Sequence, residues 1–308
     1  MGNTPIQIVN QIPQVAIVGV GLLGGSIGLG LKQAGYTGRI LGVGRTQRSL
    51  QTALDVGCVD DIALAEESLW QQLDCQTLVI LATPICTFEV HFKAIAAAGG
   101  RNVIITDAGS TKAVVCEYAT KHLPDPGWFV GAHPMAGSEK QGPQHADAAM
   151  LINRPTILTP LPEAHPRAVE VVTALWQAIG MRTLTMTPQD HDNAVAAISH
   201  LPHALAMQLV LTTSRQPQSL DIAAGGFRDT TRVASGDVAI WKDIFLTNRQ
   251  ALVAAIDQFQ TDLSQLRDRL LQGDEAYITE TLTQAKAIRD QWMNAPQQGG
   301  SLPGRPAE

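Results

Sequence analysis

Three groups of residues in this chain carry chemistry by type and spacing. The first is Gly19-Val20-Gly21-Leu22-Leu23-Gly24, which follows the apolar run Val15–Val18 and opens a helical stretch. Between a strand and a helix, G-x-G-x-x-G makes a seat for a pyrophosphate. Gly19 permits the tight turn, Gly21 lets the backbone approach the phosphates, and Gly24 lets the helix pack on the strand. Free N–H groups at the helix start, at Leu22 and Leu23, supply the anion site. The bland alternative is a glycine-rich helix start with no ligand.

The cofactor half of this group lies further along. The second strand ends in Gly42-Val43-Gly44-Arg45-Thr46. A fold that prefers NAD usually places Asp or Glu at this strand end, to bind the ribose 2′-hydroxyl. Here the slot holds Gly44, with Arg45 next. The missing carboxylate removes repulsion toward a 2′-phosphate, and an arginine can grip one, so NADP is favoured over NAD. Thr46 and Arg48 are secondary candidates, and Arg48 reads equally well as a solvated helix charge. Thr83-Pro84 follows the strand Leu78–Ala82 and is expected near the nicotinamide end.

The second group sits on two more strand ends, Thr106-Asp107-Ala108-Gly109-Ser110-Thr111-Lys112 and Gly131-Ala132-His133-Pro134-Met135-Ala136-Gly137-Ser138-Glu139. Both should face the crevice of the glycine turn. A histidine placed there, His133, can take a proton from an alcohol while hydride leaves the carbon. A nearby serine, Ser110, can orient that alcohol. A lone histidine elsewhere would read as an ordinary packed residue.

The third group is helical. In Ser199-His200-Leu201-Pro202-His203 the two histidines are three apart and share a helix face. Pro202 removes a backbone donor in mid-helix and should kink it. A substrate pocket and a satisfied core pair both remain open. No third ligand accompanies these histidines, so no metal is expected. Gly225–Arg232 then carries Arg228 and Arg232, whose guanidinium forks suit carboxylates. Asn248 falls on an apolar stripe, seven residues after Trp241, and needs a partner or a ligand there.

The elements that must position these groups divide at about residue 187. Strand candidates are Val15–Val18, Ile40–Val43, Leu78–Ala82, Val103–Thr106, Trp128–Gly131, Pro155–Leu158 and Arg182–Met186, with a helix over about Glu163–Ile179. Short Val/Ile-rich runs alternating with helices indicate an α/β fold, with a parallel, doubly wound sheet of Rossmann type over residues 1–187. Thr187, Pro188 and Asp190 read as the capped start of a new helix. From there to residue 294 the chain reads as an all-helical domain. Its stripes (Ile198, Leu201, Leu205, Leu209; Trp241 to Phe259; Leu263, Leu266, Leu270; Ile278, Leu282, Ile288) are wide enough to need partners, some from a second subunit. Residues 295–308, rich in Pro, Gly and Gln, are expected to be a disordered tail.

Composition narrows the function classes. The 308 residues suffice for two domains, and a net charge of −6 argues against a nucleic-acid partner. Cys58, Cys75, Cys86 and Cys116 show no metal or redox spacing and read as buried, reduced thiols. No continuous apolar run is long enough to span a membrane, and no signal peptide is evident, so a cytoplasmic location is expected.

Taken in order, Gly19–Gly24, Asp107–Lys112, His133-Pro134-Met135-Ala136-Gly137, Ser199–His203 and Gly226–Arg232 resemble the TyrA family, the prephenate and arogenate dehydrogenases of tyrosine biosynthesis. The resemblance runs from about Val15 to Trp292, and His-Pro-Met-Ala-Gly and Ser-His-Leu-Pro are its specific segments. It implies NADP- or NAD-dependent oxidative decarboxylation of a cyclohexadienol, with His133 catalytic and Ser110 helping to hold the ring hydroxyl. It implies that Arg232 binds a substrate carboxylate, that His200 and His203 contribute to the pocket, and that the helical domain forms an interlocked homodimer. His203 and Glu139 vary among members, which leaves prephenate against arogenate open. No regulatory ACT domain is expected after the tail. Two rival readings are a 3-hydroxyacid-type dehydrogenase, which would use a helix lysine, and a non-catalytic NADP-binding regulator, which has no need of His133, Ser110 and Arg232 together.

Overall fold

The computed structural model describes residues 2–65, 70, 73, 76–99, 102–138 and 140–294. Eight strands form one sheet: β1 (Gln14–Val18), β2 (Arg39–Gly44), β3 (Asp61–Leu64), β4 (Thr77–Leu81), β5 (Ile104–Asp107), β6 (Phe129–Pro134), β7 (Pro155–Pro160) and β8 (Arg182–Thr185). Their spatial order is β3-β2-β1-β4-β5-β6-β7-β8. β1 pairs in parallel with β2 on one side (Val15 with Ile40) and β4 on the other (Val15 with Leu78). The order reverses there, so a crevice opens beyond the carboxyl ends of β1 and β4.

Helices cover both faces, which is why β1 and β4 are nearly continuous apolar runs. One face packs on α2 (Leu22–Gln33) and α6 (Pro166–Ala178), with Ile27, Leu31, Val171, Leu175 and Trp176 buried. The other packs on α4 (Phe88–Ala97) and α5 (Ala113–His122), with Phe88, Phe92, Ile95, Val115 and Phe129 buried. Two shorter helices complete this half, α1 (Pro5–Val9) and α3 (Gln47–Asp55).

Several expectations need correction. The sheet is parallel except at one pair, since β7 runs antiparallel to β6. Trp128 ends a 3₁₀ turn (Pro126–Trp128), and the strand begins at Phe129 and continues through His133 to Pro134. β3 and α1 were not anticipated. β3 is a four-residue edge strand, mostly half-buried, too short to show a period. Cys86 is exposed, whereas Cys58 and Cys116 are buried; Cys75 lies outside the described residues.

The helical half begins at α7 (Pro188–Val195), with Thr187 accepting from the Asp190 N–H at 3.1 Å as its cap. A π-helical turn (Ala196–His200) leads without a break into α8 (Leu201–Thr213). Pro202 is therefore absorbed in the first turn after a π bulge, a known way to accommodate a missing N–H. α9 (Pro217–Asp221), α10 (Gly225–Thr231), a 3₁₀ turn (Arg232–Ser235), α11 (Val238–Thr247), α12 (Arg249–Gln272) and α13 (Glu275–Asn294) follow. Trp241, Ile244, Phe245 and Leu252 face inward, but Ile198 is 68% exposed and Leu282 67% exposed in the single chain. The helix Pro188–Thr213 is long and apolar, yet its buried positions include four polar residues, His191, Asp192, His200 and His203, beside Val195, Ala196, Ala204 and Ala206.

Candidate active site

The glycine turn has the geometry a pyrophosphate requires. Gly19 has φ +96°, and a Cβ there would lie 2.7 Å from the Ala82 carbonyl oxygen and 2.8 Å from Thr83 Cγ2. A Cβ on Gly24 would lie 2.2 Å from the Gly19 carbonyl oxygen, so only glycine allows α2 to come this close to β1. At Gly21, the residue before α2, a Cβ would meet nothing within 4 Å. Backbone N–H groups of Leu22, Leu23 and Gly24 open the helix beside that free space, which fits a dinucleotide's phosphates. Thr83 abuts the turn and its hydroxyl lies 2.7 Å from that of Thr87; Pro84 leads into the 3₁₀ turn Ile85–Thr87.

Gly44 ends β2, and Arg45, Thr46 and Arg48 beyond it are all exposed. Thr46 precedes α3 without capping it through its side chain. Neither arginine has an ion-pair partner among the described residues. Among the described residues, the strand end thus presents cationic groups and no carboxylate.

Beyond β5 and β6 lies a hydrogen-bonded network that joins the two halves of the chain. His133 Nδ1 is 2.8 Å from His191 Nε2, and His191 Nδ1 is 2.8 Å from Asp192 Oδ1. Asp192 in turn caps α5: Oδ1 accepts from the Lys112 N–H at 2.7 Å, and Oδ2 from the Ala113 N–H at 2.9 Å. The positive end of a helix dipole steadies this carboxylate. His133 is half-buried, while His191 and Asp192 are buried. Burial, then the neighbouring His191, the Lys112 cation and His200, hold the His133 pKa well below the usual imidazole value. His133 is therefore neutral at physiological pH, the form in which it accepts a proton.

Under His133 the Lys112 ammonium pairs with the Asp107 carboxylate, and both side chains are fully buried. Lys112 Nζ also donates to the Ala132 carbonyl at 2.9 Å. Asp107 accepts from the Ala132 N–H at 2.9 Å and the Gly109 N–H at 2.8 Å. Burial pushes the Asp107 carboxyl upward, and the Lys112 charge and these N–H groups oppose it. Both polar backbone groups of Ala132, next to His133, are thus fixed by one buried pair. Ser110 is half-buried on the same β5–α5 loop, which the Thr111 hydroxyl ties to that of Thr247 at 3.1 Å.

On the helical side, Asn248 Nδ2 donates to the Asp192 carbonyl at 2.7 Å and lies 3.1 Å from His200 Nδ1. An amide nitrogen only donates, so His200 Nδ1 accepts and its proton sits on Nε2. Burial lowers the His200 pKa to about 4. His203 stacks on Trp241, with ring centroids 3.5 Å apart and planes at 17°. Its Nδ1 is buried without a hydrogen-bond partner. Gly236 closes against the same stack, since a Cβ there would lie 2.4 Å from Trp241 Nε1.

Arg232 starts the 3₁₀ turn that packs on α8, the helix of His203; it is exposed and unpaired among the described residues. Arg228, on α10, is exposed as well, but its Nε lies 3.3 Å from Asp229 Oδ1. Glu139 lies outside the described residues; Gln141 Nε2 donates to Asp237 Oδ2 at 2.6 Å. A cavity of about 520 Å³ shares Asp192 and Asn248 with the network but includes none of Gly19, Ser110 or His133. The described residues contain no metal-ligand cluster.

Sequence reasoning missed His191, Asp192 and the pairing role of Lys112. A His-Asp step in the first turns of a helix was a visible signal, but the capping pattern of Thr187 and Asp190 absorbed it.

Comparison with known proteins agrees with this architecture. Residues 27–185 match the family described as "Prephenate dehydrogenase, nucleotide-binding domain", and residues 187–284 match "Prephenate dehydrogenase, dimerization domain". The chain is 35% identical over 281 residues to a prephenate dehydrogenase of Bacillus subtilis, covering 90% of this chain and 75% of that one. It is 32% identical to a cyclohexadienyl dehydrogenase of Zymomonas mobilis, covering 89% and 94%. Among solved structures, Aquifex aeolicus prephenate dehydrogenase in complex with hydroxyphenyl propionate and NAD+ superposes with TM-score 0.85 at 31% identity, covering 90% and 97%. Synechocystis arogenate dehydrogenase superposes with TM-score 0.78 at 27% identity, covering 91% and 99%. With both of its domains matched in order and the Rossmann-plus-helical architecture in place, the chain belongs to the prephenate dehydrogenase family.

Proposed function

We propose that this protein is a cytoplasmic prephenate/arogenate dehydrogenase, an oxidoreductase that favours NADP over NAD and works as a homodimer. The observation that carries the reading is His133: a neutral, half-buried histidine at the carboxyl end of β6, which runs parallel to β5, β4 and β1 and so ends on the same edge of the sheet as the glycine turn. The names of the matched relatives support the substrate class. Gly44, Arg45, Thr46 and Arg48 support NADP, because these four positions offer cations and no carboxylate of their own at the end of β2. The family description of residues 187–284 and the exposed apolar side chains of α8, α12 and α13 support the dimer. Unpaired Cys58, Cys86 and Cys116 fit a reducing compartment.

Gly19, Gly21 and the N–H groups of Leu22, Leu23 and Gly24 would hold the pyrophosphate, and Thr83 and Pro84 would border the nicotinamide. When bound, the oxidised nicotinamide supplies the hydride acceptor. His133 Nε2 accepts the ring-hydroxyl proton as that hydride departs, and Ser110 orients the hydroxyl. The dienone so formed holds a carboxylate in a vinylogous β-keto position. Carbon dioxide leaves, its bonding pair enters the ring, and the oxygen takes back a proton to give a phenol. Aromatisation drives the step. Arg232 holds a substrate carboxylate, and His200, His203 and Glu139 line the pocket. Their task is to position rather than to react.

Initial rates of cofactor reduction with prephenate and with arogenate test the reading and settle the substrate. Replacing His133 with Asn should lower turnover by roughly two to four decades, as for a lost general base, with cofactor affinity little changed. Near-normal turnover in that variant would move the base elsewhere.

A further inference from the structure

The two ring nitrogens of a neutral histidine are not equivalent, and which one carries the proton decides whether His133 can act as a base at all. The network fixes that choice. Asp192 is the terminal acceptor, because its oxygens already receive the N–H groups of Lys112 at 2.7 Å and Ala113 at 2.9 Å. The His191 nitrogen 2.8 Å from Asp192 Oδ1 is Nδ1, so Nδ1 carries the His191 proton. In the neutral ring Nε2 is then a lone pair, and it lies 2.8 Å from His133 Nδ1. A lone pair there calls for a proton on His133 Nδ1. The basic lone pair of His133 is left on Nε2, which makes no hydrogen bond among the described residues.

We infer that His191 and Asp192, on the first helix of the second domain, are positioning residues that hold His133 in its Nδ1–H tautomer and so make Nε2 the base. The inference rests on the reading of His133 as the base, and it adds a condition to it. A free imidazole prefers the opposite tautomer, so without this partner His133 would present an N–H where an acceptor is needed. When Nε2 takes the hydroxyl proton, the resulting imidazolium donates its Nδ1 proton to His191, which leans on the Asp192 carboxylate. No proton need leave the chain of rings during the step. The arrangement also spans the two domains: α5 and β6 belong to the sheet domain, His191 and Asp192 to α7 of the helical domain. The base is set only when the helical domain is docked.

The test reads the tautomer directly. The full-length protein is labelled with ¹⁵N-histidine, and ring correlation spectra at neutral pH are assigned by single-histidine variants. His133 and His191 should both show a protonated Nδ1 and an unprotonated Nε2. A protonated His133 Nε2, or a doubly protonated His191, overturns the inference. His191→Leu should shift His133 to the Nε2–H form and lower kcat by about 10- to 100-fold, the usual effect of losing an orienting partner. KM for substrate and cofactor should move less than about threefold. His191→Gln keeps an acceptor for His133 and a donor for Asp192, and should recover much of the loss. Equal kcat for the Leu and Gln variants counts against the inference. The spectrum of the parent protein decides the tautomer even if a variant fails to fold. It also does so if neither prephenate nor arogenate is turned over, which would sink the proposed function alone.

Discussion

Replacing Lys112 with Met is the most informative single perturbation of this fold. Met keeps the length of the side chain but removes the charge. In the parent, the ammonium pairs with Asp107 and donates to the Ala132 carbonyl at 2.9 Å, and neither side chain is exposed. Breaking a pair of this kind costs about 3–5 kcal/mol, because the remaining charge stays buried. The orphaned Ala132 carbonyl accounts for about 1 kcal/mol of that. Adding Asp107→Asn should recover about 2 kcal/mol, since the amide oxygen can still accept from the Ala132 N–H. The deficit should depend on pH in a defined direction. With Lys112 gone, burial holds the folded pKa of Asp107 above its unfolded value. A group raised in the folded state contributes stability below the unfolded pKa and loses it as pH rises. The gap between parent and variant should therefore be small near pH 4 and widen toward neutrality, by at most about 1.4 kcal/mol per pH unit. Urea unfolding of both proteins by circular dichroism across that range measures the gap. A deficit under about 1 kcal/mol at neutral pH, or one independent of pH, would refute the reasoning.

Three further outcomes are expected. The double change Gly44→Asp/Arg45→Ile should turn an NADP preference in kcat/KM into an NAD preference; the new Cβ comes 3.1 Å from Leu50 Cδ2, a contact that a leucine tip can yield. A parent that prefers NAD by about tenfold or more would end that argument. Arg232→Ala should raise KM for the cyclohexadienol by about 30-fold or more with much less effect on kcat, because a carboxylate is held alike in ground and transition states; an unchanged KM would pass the contact to Arg228. Stability should fall as pH drops from about 6.5 toward 4: His200 is lowered from 6.5 to about 4 and His133 is lowered too, so both contribute above the unfolded value and lose that contribution on acidification. His200 accounts for about 3 kcal/mol of the loss, and its replacement by Asn, which retains an acceptor for Asn248, should flatten the urea-midpoint profile over this range.

What could be read from the residues, and what could not, follows from the range of the interactions involved. β1, β2 and β4 announce themselves because strands covered on both faces are apolar throughout. The glycine turn and the Thr187 cap are local chemistry, legible within a few positions. Asn248 stood out as a polar residue on an apolar stripe, and it is tied to Asp192 and His200. The direction of β7 was not legible, because side-chain alternation is the same for parallel and antiparallel neighbours. His191 was not legible as part of the site either. Its partner is 58 residues away, and only docking of α7 against β6 brings the rings together. The outward Ile198 and Leu282 show the converse limit: a hydrophobic stripe states that a face seeks cover, not whether the same chain supplies it.

The π turn at Ala196–His200 sits between the two ends of the network, with His191 and Asp192 before it and His203 after it. Its N–H of Leu201 reaches back to the Ala196 carbonyl, one residue further than an α-helix allows. A residue accommodated this way advances the following helix by about 100° of rotation without lengthening the loop on either side. The turn therefore works as a phase setting. It decides which side chains of α8 look toward the β6 end while α7 stays docked on α5. Removing one residue there would leave two intact helices and an intact sheet, and would swing the imidazole of His203 away from Trp241. A change of pocket in this fold can thus be a matter of angle, written as a single gap in the chain rather than as a substitution.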